Sequence, residues 1–223
     1  MSDRIRSVSL FTGPMLRKAV NAGDADFVPV FLSDLPGLFK AKTVPLDVAI
    51  VQVSPPDKHG LCTLGTSCDA ARAAVDCART EIAEVNPRMP RTHGNTSVPL
   101  SRFAAFTLSD RPLYASEPNA IGPVEARIGE IIANLVEDGD TLQMGIGAIP
   151  DAVLANLGGK HDLGVHTEMF SDGLLPLIES GVVNNKRKEV HAGRTTTSFV
   201  WGSERLYEYV DDNPLVEFHG CDR

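Results

Sequence analysis

Along the chain, short runs rich in β-branched and aromatic residues alternate with stretches whose apolar positions recur at helical spacing. The runs Val8 to Phe11, Phe27 to Leu32, Asp47 to Val53, Glu81 to Val85, Thr141 to Met144, Leu163 to His166, Thr196 to Trp201 and Leu215 to Phe218 read as strands. Val124, Ile128, Ile131 and Leu135 recur at steps of four, three and four, which places them on one face of a helix. Leu16 with Val20, Val153 with Leu157, and Leu174 with Ile178 repeat the pattern more briefly. Such alternation predicts βαβ units, and so an α/β fold with mainly parallel sheets covered by helices. The Pro-rich, aperiodic stretch from Leu108 to Pro123 predicts a joint near 110–122, dividing a lobe at 1–110 from one at 120–223.

Composition narrows the functions open to such a fold. A chain of 223 residues that is 43% hydrophobic can bury one large core or two compact ones. Its 21 Lys and Arg stand against 29 Asp and Glu, a formal charge of -8 without a basic stripe, which argues against a nucleic-acid partner. Cys62, Cys68, Cys77 and Cys221 lack C-x-x-C spacing and are expected to be free thiols of a reducing compartment. No apolar stretch is long enough to span a bilayer, and MSDRIRSVSLF lacks the apolar core of a signal peptide, so the expectation is a cytoplasmic protein without a membrane partner.

Two stretches carry chemistry. In DTLQMGIGAIPDAVLANL a strand runs into Gly145, Ile146, Gly147, Ala148 and Ile149, and a helix follows with Pro150 in its first turn and Asp151 beside the positive end of its dipole. The glycines either make a tight strand-to-helix turn and nothing more, or bare a row of amides to an anion or oxyanion. In LGVHTEMFSDG an acid, Glu168, stands at the carboxyl end of a strand, where parallel sheets open the crevice that holds ligands. A carboxylate there needs no general base to attack an activated acyl carbon. The plainer reading is a solvated loop acid.

A dinucleotide fingerprint competes, with Glu168, 23 residues after Gly145, as the ribose-binding acid. Pro150 at the third glycine position, and a helix ahead of the strand, count against it; no Gly-Lys-Ser/Thr closes a P-loop. In the first half, loops 54–60 and 86–94 follow strands and carry His59 and His93, but neither histidine has the spacing of a metal ligand, and no metal is expected. They otherwise serve as hydrogen-bonding residues of their loops. His166 reads as a core histidine, and Asp211 with Asp212 as a solvated helix end.

The segments LRKAVNAGDADFVPVFLSDLP, QVSPPDKHGLCTLGTS, AEVNPRMPRTHG, DTLQMGIGAIPDAVLANL and LGVHTEMFSDGLLPLIESG together resemble the acetyl-CoA hydrolase and 4-hydroxybutyrate CoA-transferase family, within the class I CoA-transferases. The likeness runs through almost all of the chain. It implies two related lobes, and an enzyme that moves CoA between an acyl-CoA and a short-chain carboxylic acid, or hydrolyses the thioester. Its active-site glutamate, matched by Glu168, forms an acyl anhydride and then a glutamyl-CoA thioester. Gly145, Ile146, Gly147, Ala148 and Ile149 match the loop that contacts CoA, and Ser54, His59, Asn86, Met89, Thr92 and His93 are implied to shape the acid pocket. Acyl-CoA and the carboxylate are substrates, and no permanently bound cofactor is implied. The full-length enzyme is expected to be a homodimer or larger homo-oligomer, cytoplasmic or, with an upstream segment, mitochondrial. Because the family is longer at both ends, the chain is expected to be shortened. An oxidoreductase subunit that binds a nicotinamide dinucleotide, and an inactive fragment that binds CoA or a partner, remain the alternatives.

Overall fold

The computed structural model describes residues 5–116 and 120–222, so residues 117–119 of the expected joint lie outside it, as do the first four residues and the last. β1 (Val8–Ser9), α1 (Pro14–Ala22) and β2 (Asp26–Phe27) form a small parallel unit, and α2 (Leu35–Lys40) follows it. Next come β3 (Val48–Val53), β4 (Leu61–Thr63), α3 (Ala71–Cys77), β5 (Thr80–Val85), β6 (His93–Gly94), β7 (Ser97–Pro99) and β8 (Ala105–Leu108). β3, β5 and β8 make a parallel sheet in that order, whereas β4 and β7 pair antiparallel.

The second half contains α4 (Pro123–Ala133), β9 (Thr141–Leu142), α5 (Ala148–Ala155), β10 (Gly164–Val165), β11 (Met169–Phe170), α6 (Leu175–Glu179), β12 (Thr195–Thr197), β13 (Phe199–Val200), α7 (Glu204–Val210) and β14 (Val216–Phe218). β9 pairs with β10, β11 with β13, and β14 lies between β12 and β6, all parallel. The fold is thus α/β with mainly parallel sheets. β6 comes from the first half, so the two halves share a sheet. One apolar core gathers around Val53, Cys62, Val75, Ala83 and Val98, and a larger one around Leu154, Leu157, Val165, Phe170, Leu206 and Phe218.

α4 forms where its periodicity predicts a helix, but the face it buries is the other one. Gly129 and Ala133 are buried, whereas Val124 is 65% and Leu135 76% exposed. The cause is close packing on α5: a Cβ at residue 129 would stand 2.6 Å from the backbone of Ala152, so only glycine admits the approach. The helix therefore docks through its small residues, and its apolar stripe faces outward. The sheet of β3, β5 and β8 departs from expectation in the same way. Ile50 is 76% exposed on a parallel sheet, a class that normally has both faces covered.

Candidate functional site

Neighbouring strand ends bring the two chemistry-bearing stretches together. β9 and β10 run in parallel, and the main chain beyond them is tied across, with His166 N donating to Leu142 O at 3.0 Å. The Thr167 hydroxyl completes the tie: it accepts from Met144 N at 2.8 Å and lies 3.1 Å from the carbonyl oxygens of both Met144 and Met169. Gly145 and Glu168 follow directly on these two tied residues. On the other side, the Glu168 carbonyl accepts from Ser198 N, Phe199 N and Thr197 Oγ1, each at 3.0 Å. The backbone of Glu168 is thereby held from both flanks while its side chain is exposed and makes no hydrogen bond with a described residue.

Glu168 borders two cavities. One, of about 500 Å³, is lined by Gln143, Met144, Gly145, Ile146 and Met169, so the acid and the glycine turn face the same space. The other, of about 660 Å³, has polar walls that include His166, Thr196, Ser198 and His219. A third cavity, about 860 Å³, continues from Ile146 and Met169 to Gly147, Trp201 and Asp151. Gly147 sits at φ 122° and ψ −177°, a region that only glycine enters freely. A Cβ there would meet no atom within 4 Å, so backbone conformation, and not crowding, is what demands glycine. Ala148 and Ile149 open α5, and Asp151 in its first turn has its carboxyl pKa raised, by burial first and the neighbouring Asp172 second.

Five of the six first-half residues expected in the acid pocket are engaged by neighbouring segments. Ser54 accepts from Thr63 N at 2.9 Å, Asn86 spans Arg111 O and Arg88 N, and Thr92 donates to Gly65 O at 2.8 Å. Met89 fills the space beside Gly65, His59 is exposed, and His93 reaches Asp212 at 3.0 Å. None of the six lines the two cavities described above for Glu168, to which the first half contributes Phe31, Leu32 and Ser33. Asp211 and Asp212 are not a free helix end, because they bind Arg91 N and His93 and so seat the 86–94 loop against the second half.

Sequence reading passed over a buried cation behind the polar cavity, one that lines a neighbouring cavity of about 390 Å³ with His166 and Glu189. Lys188 is only 6% exposed, and its ammonium donates to Val165 O at 2.8 Å, Arg194 O at 2.7 Å and Thr196 Oγ1 at 3.1 Å. Burial pushes its pKa down to about 8 against the attraction of Glu217. Glu217 is engaged by Arg194, by His191 Nδ1 at 2.7 Å and by His219 Nε2 at 3.4 Å. Burial would raise its carboxyl pKa, but these hydrogen bonds prevail and leave it lowered. His191, Glu217 and His219 place their ligand atoms within 4.8 Å of one another, yet the carboxylate that would bind a cation is already paired with Arg194. His166 borders the cavity without a side-chain hydrogen bond, and burial, followed by Lys188 and the two other imidazoles, lowers its pKa.

Residues 1–113 match the model of the acetyl-CoA hydrolase/transferase N-terminal domain. The chain belongs to the acetyl-CoA hydrolase/transferase family. Its sequence is 46% identical to 4-hydroxybutyrate coenzyme A transferase of Clostridium kluyveri over all of the chain and 52% of that protein. It is 48% identical to the succinyl-CoA:acetate/propanoyl-CoA:succinate CoA transferase of Fasciola hepatica over 97% of the chain and 45% of that protein. Among solved structures, 4-hydroxybutyrate CoA-transferase from Porphyromonas gingivalis superimposes with a TM-score of 0.86 at 38% identity, over 99% of this chain and 58% of that one. RipA from Yersinia pestis gives 0.92 at 34% identity, over 99% and 53%. The chain spans about half the length of the curated relatives it matches. Among the described residues, no helix is long and apolar enough to cross a membrane.

Proposed function

We propose that this chain acts in the transfer of CoA between an acyl-CoA and a short-chain carboxylic acid, with Glu168 as the nucleophile. The observation that carries the reading is the shared cavity of Glu168 and the glycine turn, with the acid's backbone held from both sides. The names of its relatives support the substrate class, since they act on 4-hydroxybutyrate, succinate and propanoate.

The Glu168 carboxylate attacks the thioester carbonyl, the C–S bond breaks, and CoA leaves as the thiolate from a mixed anhydride. The thiolate then attacks the glutamyl carbonyl and expels the donor acid as its carboxylate, leaving a glutamyl-CoA thioester. An acceptor carboxylate reverses both steps; water in its place completes a hydrolysis. Amides of the turn at 146–148 stabilise the oxyanion of each tetrahedral state, an effect of roughly 10²- to 10³-fold per donor. The six first-half residues serve the site by shaping the loops that pack on the second half. In the cell we place the enzyme in the cytoplasm, as a homo-oligomer.

Incubation with an acyl-CoA followed by borohydride tests the reading. The expected product is a glutamyl alcohol on the peptide carrying Glu168, absent from Glu168→Ala together with turnover. An active Glu168→Ala enzyme would overturn the mechanism. A chain that binds CoA but forms no adduct would be an inactive CoA-binding protein.

A further inference from the structure

A buried ammonium is costly unless an anion compensates it. Lys188 is such a group: it forms no ion pair with a described residue, and its three hydrogen-bond partners are two main-chain carbonyls and one hydroxyl. Thr196 is itself only 3% exposed and is one of the residues that border the polar cavity beside Glu168. Since the Thr196 oxygen accepts from Lys188, its own proton is free, and the ammonium polarises it as a donor. Ser198 and His166 line the same wall, and neither side chain makes a hydrogen bond with a described residue.

Resting on the CoA-transfer reading, we propose that Lys188 and Thr196 build the subsite for the carboxylate of the acid substrate, on the polar side of Glu168. One carboxylate oxygen accepts from Thr196 Oγ1, whose charge-assisted donation transmits the buried cation to the ligand, and Ser198 or His166 serves the other oxygen. Thr196 is thus a binding residue, and Lys188 a positioning residue that acts through it. The arrangement also relieves the repulsion expected when a second carboxylate enters a cavity that already holds Glu168. His191 and Arg194 do not compete for that ligand, because Glu217 engages both and neither lines the cavity; His219 gives its Nε2 to Glu217 and keeps a buried Nδ1 without a hydrogen bond to a described residue.

Butyrate is titrated into the ¹⁵N-labelled protein, and the amide shifts of Thr196 and Ser198 are followed. Saturable shifts are expected in the wild type and in Glu168→Ala. Thr196→Val should weaken butyrate about tenfold, as for loss of one charge-assisted hydrogen bond. Thr196→Ser should restore it, and Lys188→Met should weaken it by a similar factor. CoA binding should be unchanged in Thr196→Val, and inorganic phosphate should not displace butyrate. Wild-type affinity in Thr196→Val, no saturable shift at all, or displacement by phosphate would each overturn the subsite. The borohydride adduct judges the nucleophile separately, so the titration decides the subsite even where the adduct fails.

Discussion

Replacing the Thr167 hydroxyl by a methyl group, Thr167→Val, keeps the shape of the side chain and removes one oxygen atom. That atom is the acceptor for Met144 N at 2.8 Å, and Met144 and Thr167 are 7% and 4% exposed. The substitution leaves a buried N–H without its acceptor, at a cost of about 1–3 kcal/mol. For a chain of this length, roughly 2–4 °C accompanies each kcal/mol, so a fall in Tm of about 4–8 °C is expected for a mid-range cost of about 2 kcal/mol. The effect on chemistry should exceed the effect on stability. Met144 precedes Gly145 and Thr167 precedes Glu168, so the lost tie is the one that sets the distance between the turn and the acid. A misplacement of about 1 Å costs on the order of 10²-fold in rate. Thermal unfolding, amide exchange at Met144 and the rate of borohydride-trapped adduct read the three consequences, and Thr167→Ser, which keeps the oxygen, should recover most of each. A valine variant with wild-type Tm and adduct rate would refute the reasoning, as would a serine variant as impaired as the valine one.

Gly147→Val should cost about 1–3 kcal/mol, because φ 122° is closed to a β-branched residue, and should slow adduct formation by more than its loss of stability explains; unchanged adduct kinetics would remove the turn from the mechanism. For Lys188 the pKa falls from 10.5 in the free chain to about 8 on folding. Between those two values the unfolded chain binds a proton that the folded one does not, so this group's contribution to stability rises with pH across that window. The gain is up to about 3 kcal/mol relative to Lys188→Met, and urea unfolding at several pH values measures it. A difference between the two proteins that stays constant from about pH 7.5 to 10.5 would contradict it. Butyrate affinity should fall over the lower part of the same window, as the ammonium loses its proton, and should not do so in Lys188→Met.

The parallel strands were legible because their signal is local. Val48–Val53 is a nearly continuous β-rich run and Thr80–Val85 carries Ile82 and Val85 among alternately buried positions, and both appear within a residue of their expected limits. The antiparallel pair Leu61–Thr63 with Ser97–Pro99 gave no comparable signal, since three residues cannot display a period and their pairing depends on a partner more than 30 residues away. α4 shows a different limit. Periodicity establishes that Val124, Ile128, Ile131 and Leu135 share a face, but not that the face is buried. The choice went to Gly129 and Ala133, whose smallness lets two backbones approach, a property that hydrophobic patterning does not score.

The site divides along the same physical line. Glu168 and the glycine turn could be read from one dimension because each is a strand end, and strand ends of a parallel sheet converge on one crevice. Lys188 could not. It stands in NNKRKE, a charge run whose usual fate is solvation, and what removes it from water is the convergence of three acceptors from two stretches, Val165 O from one and Arg194 O with Thr196 Oγ1 from the other. Two of these are main-chain carbonyls, which any residue type would supply, so no residue pattern marks them in advance. The first-half loops SPPDKHG and NPRMPRTHG are polar and follow strands, and there Ser54, Asn86, Thr92 and His93 give their side chains to hydrogen bonds with neighbouring segments, whereas His59 stays exposed. A polar side chain points to function when its hydrogen-bonding capacity is left over after folding, and Glu168, His166, Ser198 and the proton of Thr196 meet that test on one continuous wall.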